Sequence, residues 1–132
     1  MKTLTLNTTL PTAILLGFAL YIGTTSAKEY MTPTEAFKPS QQGNLITIHI
    51  ADGYYLYKNK ISVQTSSGPV AFNFINKPID KTFPNQGTFT VYLDKAKLQV
   101  NFKSKMPLTL YYQGCSSKGL CYPPQKFNLK AL

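Results

Sequence analysis

Cys115 and Cys121 are the only cysteines in the chain, and the lone His49 completes its inventory of His and Cys side chains. Three such residues cannot make a four-ligand His and Cys centre, and a three-ligand one would need every one of them. The chemistry open to the pair is therefore that of sulfur itself, as a closed disulfide or as a dithiol that exchanges with one. The two stand in the run Tyr111-Tyr112-Gln113-Gly114-Cys115-Ser116-Ser117-Lys118-Gly119-Leu120-Cys121-Tyr122-Pro123-Pro124. Two strand-like segments there flank a five-residue spacer, and Ser116 to Gly119 supply a turn. A hairpin loop of that size sets its ends side by side, within disulfide reach. Closing so short a loop contributes roughly 2–2.5 kcal/mol of chain entropy, below the roughly 3 kcal/mol of a 15-residue loop. Such a bridge ties a hairpin to itself and staples nothing distant. Spacing alone leaves a structural disulfide and a redox pair both open. A copper site drawing on His49, both cysteines and Met31 or Met106 has no spacing behind it, and His49 reads as a surface residue. Lys118, in the loop beside both cysteines, carries a charge that favours a nearby thiolate or steers an acidic partner.

The elements that must position this pair read as strands. Ile46, Ile48 and Ile50 alternate with Leu45, Thr47 and His49, the pattern of a strand with one buried face. Lys60 to Thr65 repeats it, Ser66-Ser67-Gly68-Pro69 reads as a turn, and Val70, Phe72 and Phe74 form the next inward set. Phe89, Val91 and Leu93 alternate with Thr88, Thr90 and Tyr92. Leu98, Val100 and Phe102 face inward within Lys97–Lys103, and Leu108, Leu110 and Tyr112 form another inward set before Phe127 and Leu129 close the chain. Tyr30 to Gly43 reads as an irregular lead-in with one helical turn at most, and Pro78 to Gly87 as a long loop, because Pro84, Asn85, Gln86 and Gly87 break a ladder. Seven or eight short strands at roughly ten-residue spacing, with no useful helical periodicity, predict an all-β fold, an antiparallel β-sandwich.

Composition narrows the partners. The 132 residues carry 14 basic and 5 acidic side chains, a net charge of +9, and every basic residue is lysine. Lysine attracts acidic surfaces but lacks the bidentate fork that dominates base readout, so nucleic acid ranks as a distant third reading, and no nucleic-acid partner is expected for an exported chain. Ala13 to Ile22 is an uninterrupted apolar run preceded by Lys2 and followed by Thr25-Ser26-Ala27. About ten residues is too short for a membrane span and suits the core of a secretory signal. The expectation is a signal peptide over 1–27 and a single mature domain over 28–132 that does not span a membrane. Its exported setting permits disulfides. Removing that segment takes one lysine, leaving 13 basic against 5 acidic residues and a charge of +8.

Two motifs carry a resemblance. Gln113-Gly114-Cys115 to Cys121-Tyr122-Pro123-Pro124 resembles the N-terminal periplasmic domain of the DsbD family of thiol:disulfide interchange proteins. Asp52-Gly53-Tyr54-Tyr55-Leu56-Tyr57-Lys58, some sixty residues upstream, resembles the same domain's aromatic motif. The likeness runs from about Tyr30 to Leu129. It implies an immunoglobulin-like sandwich whose cysteines cycle between disulfide and dithiol without a metal or organic cofactor. It implies further that Cys121 forms mixed disulfides with partners and that Cys115 resolves them. Electrons would come from a thioredoxin-like donor fed by a membrane thiol carrier and pass to exported thioredoxin-fold acceptors of the disulfide-isomerase or cytochrome-maturation type. Because the chain stops at Leu132, donor and carrier are expected on separate polypeptides.

The resemblance also implies an active-site surround. Tyr55 and Tyr57 match family tyrosines that line the site, and alternation puts them on one face; Tyr122 adjoins Cys121 in its motif. Asp80 to Gly87 stands where the family has a loop that caps the cysteines, with Phe83 in place of the capping phenylalanine and Asp80 in place of an acidic residue. The tyrosine that follows the phenylalanine in the family is missing here, Pro84 and Asn85 take its place, and the spacing to Gly87 differs. Asp80 reads equally well as a solvated loop charge. The competing reading is a non-catalytic exported sandwich with a structural disulfide and a tyrosine face that binds a protein. The two differ in whether the bridge opens to a thioredoxin-like donor.

Overall fold

A computed structural model describes residues 29–132 except 102 and 104, together with residues 17, 19, 20, 22 and 23. The expected signal segment therefore lies almost wholly outside the described residues, as does Phe102. No helix among the described residues is long and apolar enough to cross a membrane.

Twelve strands, several very short, are formed among the described residues: β1 (Phe37–Gln42), β2 (Leu45–Ile50), β3 (Tyr54–Tyr57), β4 (Ser62–Thr65), β5 (Gly68–Pro69), β6 (Phe72–Phe74), β7 (Ile79–Phe83), β8 (Gly87–Tyr92), β9 (Lys95–Val100), β10 (Leu108–Tyr112), β11 (Gly114–Ser116) and β12 (Gln125–Leu129). All pair antiparallel, in three sheets ordered β1-β2-β9-β6, β12-β10-β4-β5 and β11-β3-β8-β7. The first sheet contributes Ile46, Ile48, Ala96, Leu98 and Val100 to one core, and the other two contribute Val63, Leu108, Leu110, Leu56 and Tyr92. This is the expected immunoglobulin-like antiparallel β-sandwich. Each fully buried aliphatic side chain contributes about 1.5–3 kcal/mol of transfer free energy, so the alternating Ile, Leu and Val positions dominate its stability.

Three expectations need correction. The lead-in is ordered: Pro33–Ala36 makes a helical turn, and Phe37–Gln42 is an edge strand paired with Ile50 to Leu45. Pro39 is tolerated because an edge strand need not use every N–H, and the buried Phe37 ring anchors the strand's first residue. Pro78 to Gly87 is no loop. Ile79–Phe83 pairs with Gly87–Tyr92, and the breakers Pro84, Asn85 and Gln86 occupy only the hairpin tip. Leu93 does not continue the inward set of Val91: it is exposed, while Val91 and Tyr92 are both buried. Both faces of β8 are covered at that point, Tyr92 by the main core and Val91 by a second, smaller cluster on the outer face of the third sheet.

That second cluster follows from strand parity. Leu108, Leu110, Tyr112, Gly114 and Ser116 are all buried, one face of a run that passes from β10 into β11 with only Gln113 between. Cys115 is out of phase with them and turns to the other face. The step between sheets needs a close approach. Gly114 lies opposite Leu56, and a Cβ built on it would stand 2.3 Å from the Tyr55 carbonyl oxygen and 2.6 Å from the Phe37 ring. Gly114→Ala is expected to cost at least the 1–3 kcal/mol typical of an overpacked core, read as a lower denaturation midpoint of the oxidised protein.

Candidate functional site

The cysteine loop is a hairpin whose hydrogen bonds are nearly all local. Ser116 N–H donates to the Leu120 carbonyl at 2.6 Å, Gly119 N–H to the Ser116 carbonyl at 3.0 Å, and Lys118 N–H to Ser116 Oγ at 3.1 Å. Gly119 sits at φ 103°, a left-handed conformation that explains the glycine of the turn. Ser117 N–H to the Gly53 carbonyl at 2.8 Å and the Tyr30 hydroxyl to the Lys118 carbonyl at 3.5 Å moor the loop from outside, and Tyr122 N–H to the Gly114 carbonyl at 3.0 Å closes its base. Cys115 and Cys121 face each other across an antiparallel bridge, with Cα atoms 4.0 Å apart, and are joined by a disulfide.

The two sulfur-bearing residues differ sharply in exposure. Cys115 is 0% exposed, enclosed by Tyr55 and Val91 with Tyr57 and Phe83 against them, whereas Cys121 is exposed. The Tyr57 hydroxyl lies 3.5 Å from Cys115 Sγ and, since a disulfide sulfur has no proton, is the donor there. The Tyr55 and Tyr57 rings meet edge to face at 5.5 Å, so the expected sharing of a face holds. Burial, and then its hydrogen bond with Tyr57, raise the Tyr55 hydroxyl well above the ordinary tyrosine range.

Phe83 lies over Tyr55, ring centroids 4.8 Å apart. The register makes this contact informative. Tyr57 is opposite Val91, and Phe83 is opposite Gly87, so in a flat sheet Phe83 and Tyr55 would stand six residues apart along the strands. At about 3.3 Å per residue that is roughly 20 Å. The hairpin β7–β8 therefore coils back over the face that carries Cys115. Phe83, Pro84 and Gln86 from its tip, Tyr55, Ser116 to Gly119 of the loop and Cys121 line an open cleft of about 240 Å³.

Two expected residues fall elsewhere. Asp80 occupies the opposite face of β7, where its carboxylate accepts a 2.7 Å hydrogen bond from the Thr90 hydroxyl. Tyr122 turns toward the main core, stacked on Tyr54 and edge-on to Phe37, with its hydroxyl donating to the Met31 carbonyl. Its backbone, not its ring, serves the cysteines. His49 is exposed on β2 in the first sheet, and among the described residues no group of three or more His, Cys, Asp or Glu side chains is placed to hold a metal.

Sequence reasoning missed Lys81 and Phe89. Phe89 packs edge-on to Tyr57 at 5.5 Å and lies 6.1 Å from Phe83. Lys81 holds its ammonium 5.7 Å from the Tyr55 ring and 5.4 Å from the Phe83 ring. The alternation Ile79, Lys81, Phe83 was available as a signal, but reading the segment as a loop removed any reason to ask which residues shared a face.

Comparisons with known proteins agree with this arrangement. Residues 27–131 match the family model for the N-terminal part of the thiol:disulfide interchange protein DsbD. The chain is 38% identical over 107 residues to the DsbD of Haemophilus ducreyi, a match covering 74% of this chain and 18% of that protein. It is 32% identical over 107 residues to DsbD 1 of Pseudomonas aeruginosa, covering 73% and 18%. The chain thus spans about a fifth of the length of the curated relatives it matches. The reduced-form crystal structure of the Neisseria meningitidis DsbD N-terminal domain superposes with a TM-score of 0.63 at 31% identity, covering 75% of this chain and 86% of that one. A DsbD N-terminal domain in complex with the PilB N-terminal domain, from the same organism, gives a TM-score of 0.57 at 28% identity, covering 77% and 87%.

The tyrosines set an alkaline limit. Burial, followed by a hydrogen bond with Tyr54, pushes the Tyr122 hydroxyl up to about 12, above the ordinary value near 10. A raised tyrosine contributes stability in full below its unfolded value, and that contribution is lost as pH rises from about 10 through about 12. Tyr122→Phe should therefore flatten the loss of stability across that window, measured by denaturant titrations at a series of alkaline pH values.

Proposed function

Because the chain belongs to the family of thiol:disulfide interchange protein DsbD N-terminal domains, we propose that it relays reducing equivalents through Cys115 and Cys121. The observation that carries this reading is the asymmetry of the pair: one sulfur-bearing residue open to a partner, the other sealed against Tyr55 and Val91. Thiol exchange needs that division of labour. In the reduced domain the Cys121 thiolate attacks an acceptor's disulfide, a mixed disulfide forms, and one acceptor thiolate leaves. The Cys115 thiol, giving up its proton, then attacks Cys121 Sγ. The Cys115–Cys121 bridge closes and the second acceptor thiolate is released. Two electrons and two protons reach the acceptor, and a dithiol donor reopens the bridge by the same steps in reverse.

The proposed setting is the periplasm, reached through a signal segment over 1–27. The proposed donor is a thioredoxin-like protein supplied by a membrane thiol carrier. The acceptors are exported thioredoxin-fold proteins of the disulfide-isomerase or cytochrome-maturation type. The complex of a relative's N-terminal domain with the PilB N-terminal domain supports a protein partner for this domain. Phe83 covers the Cys115 side of the bridge between encounters, and the cleft beside exposed Cys121, which Phe83 also lines, is where an acceptor's cysteine enters as the hairpin tip moves aside.

Cys115→Ala is expected to accumulate a mixed disulfide between Cys121 and a thioredoxin-fold acceptor, visible by non-reducing electrophoresis and mass spectrometry, whereas Cys121→Ala accumulates none. If no exported thioredoxin-fold protein is trapped and the native bridge stays closed with a thioredoxin-like donor present, the bridge is structural and the domain a binding module.

A further inference from the structure

We infer that Lys81 is a positioning residue that latches the Phe83 cap over the disulfide, a step that rests on the capping reading above. Lys81 and Phe83 sit two residues apart on β7 and therefore share the face turned toward Tyr55. The ammonium lies within 6 Å of both ring centroids, 5.4 Å from Phe83 and 5.7 Å from Tyr55, the range in which a cation is attracted by the ring faces. It thus joins the ring that moves with the hairpin to the ring that stays with β3. The two aromatic faces alone, tilted by 31°, have only their mutual stacking to hold them. Phe89, directly opposite Lys81 in the ladder, carries the aromatic layer on to Tyr57.

This placement has a consequence for chemistry. The hairpin carries an acidic side chain too, but parity puts the Asp80 carboxylate on the reverse face, held by Thr90. The charge brought to the cap is thus positive, and its task is to hold the lid shut until a partner displaces it. Opening requires the ammonium to leave both rings, so the fraction of time for which the bridge is uncovered depends on Lys81.

The test is the rate at which an uncharged phosphine, tris(hydroxypropyl)phosphine, reduces the native bridge, a probe whose approach is indifferent to the loss of a surface charge. Lys81→Ala is expected to react about two- to fivefold faster, the range set by one exposed cation–ring contact. Lys81→Arg, which keeps the cation, should stay near the parent rate. Phe83→Ala should also react faster, and adding Lys81→Ala to it should change little, since the latch has lost what it holds. Equal thermal midpoints for parent and Lys81→Ala would exclude general loosening. If Lys81→Ala reacts no faster while Phe83→Ala does, the latch is wrong and the cap stands. If Lys81→Ala accelerates reduction equally with and without Phe83, Lys81 acts on the bridge directly and the latch is again wrong. If Phe83→Ala itself leaves the rate unchanged, the cap fails and the latch with it.

Discussion

The contact between Gly114 and the β3 backbone governs the site. A strand has two faces, and the run from Leu108 to Ser116 uses both: one closes the sandwich through Leu108, Leu110 and Tyr112, the other presents Cys115. For that run to cross from one sheet into the next, β11 must come so near β3 that no side chain fits between Gly114 and the Tyr55 carbonyl. The main core fixes the height and phase of Cys115, and β3, held by the same pairing, delivers Tyr55 and Tyr57 to the same outer face. Packing energy stored among Leu, Ile and Val side chains is in this way converted into the position of one sulfur atom.

Much of this was legible in the residues. Period-two alternation locates β2, β4, β9 and β10, because a sandwich strand with one wet face must alternate. The short spacer with its Ser-Ser-Lys-Gly turn brings the cysteines together. The strands that escaped are those whose pairing relies on context: β1, where Pro39 is harmless only because the strand is an edge, and β7, where Asp80, Lys81 and Thr82 read as polar loop until Gly87–Tyr92 supplies their partner. Val91 and Tyr92 could not both be read as buried, since only a second layer on the far side of the sheet makes room for both. Likewise Tyr122 lies beside Cys121 in the chain yet faces the other way, because neighbours on an extended backbone point apart.

The site's polarity follows from burial more than from charge. Cys115 lies among Tyr55, Tyr57, Val91 and Phe83, surroundings that disfavour an ion, whereas Cys121 opens onto solvent near the loop that carries Lys118. One residue of the pair is sealed and the other is exposed, so the two sulfurs are unequal before any partner arrives.

The covering hairpin is bonded on its reverse as well as along its ladder. Thr82 and Thr88 hydroxyls meet at 2.8 Å, and Thr90 donates to Asp80. These rungs brace the two arms on the side away from the rings, while Lys81, Phe83 and Phe89 occupy the side toward them. A braced ribbon turns as a plate. Any displacement of such a ribbon that frees Phe83 carries Lys81 and Phe89 with it, so the tyrosines would lose the lysine and both phenylalanines together.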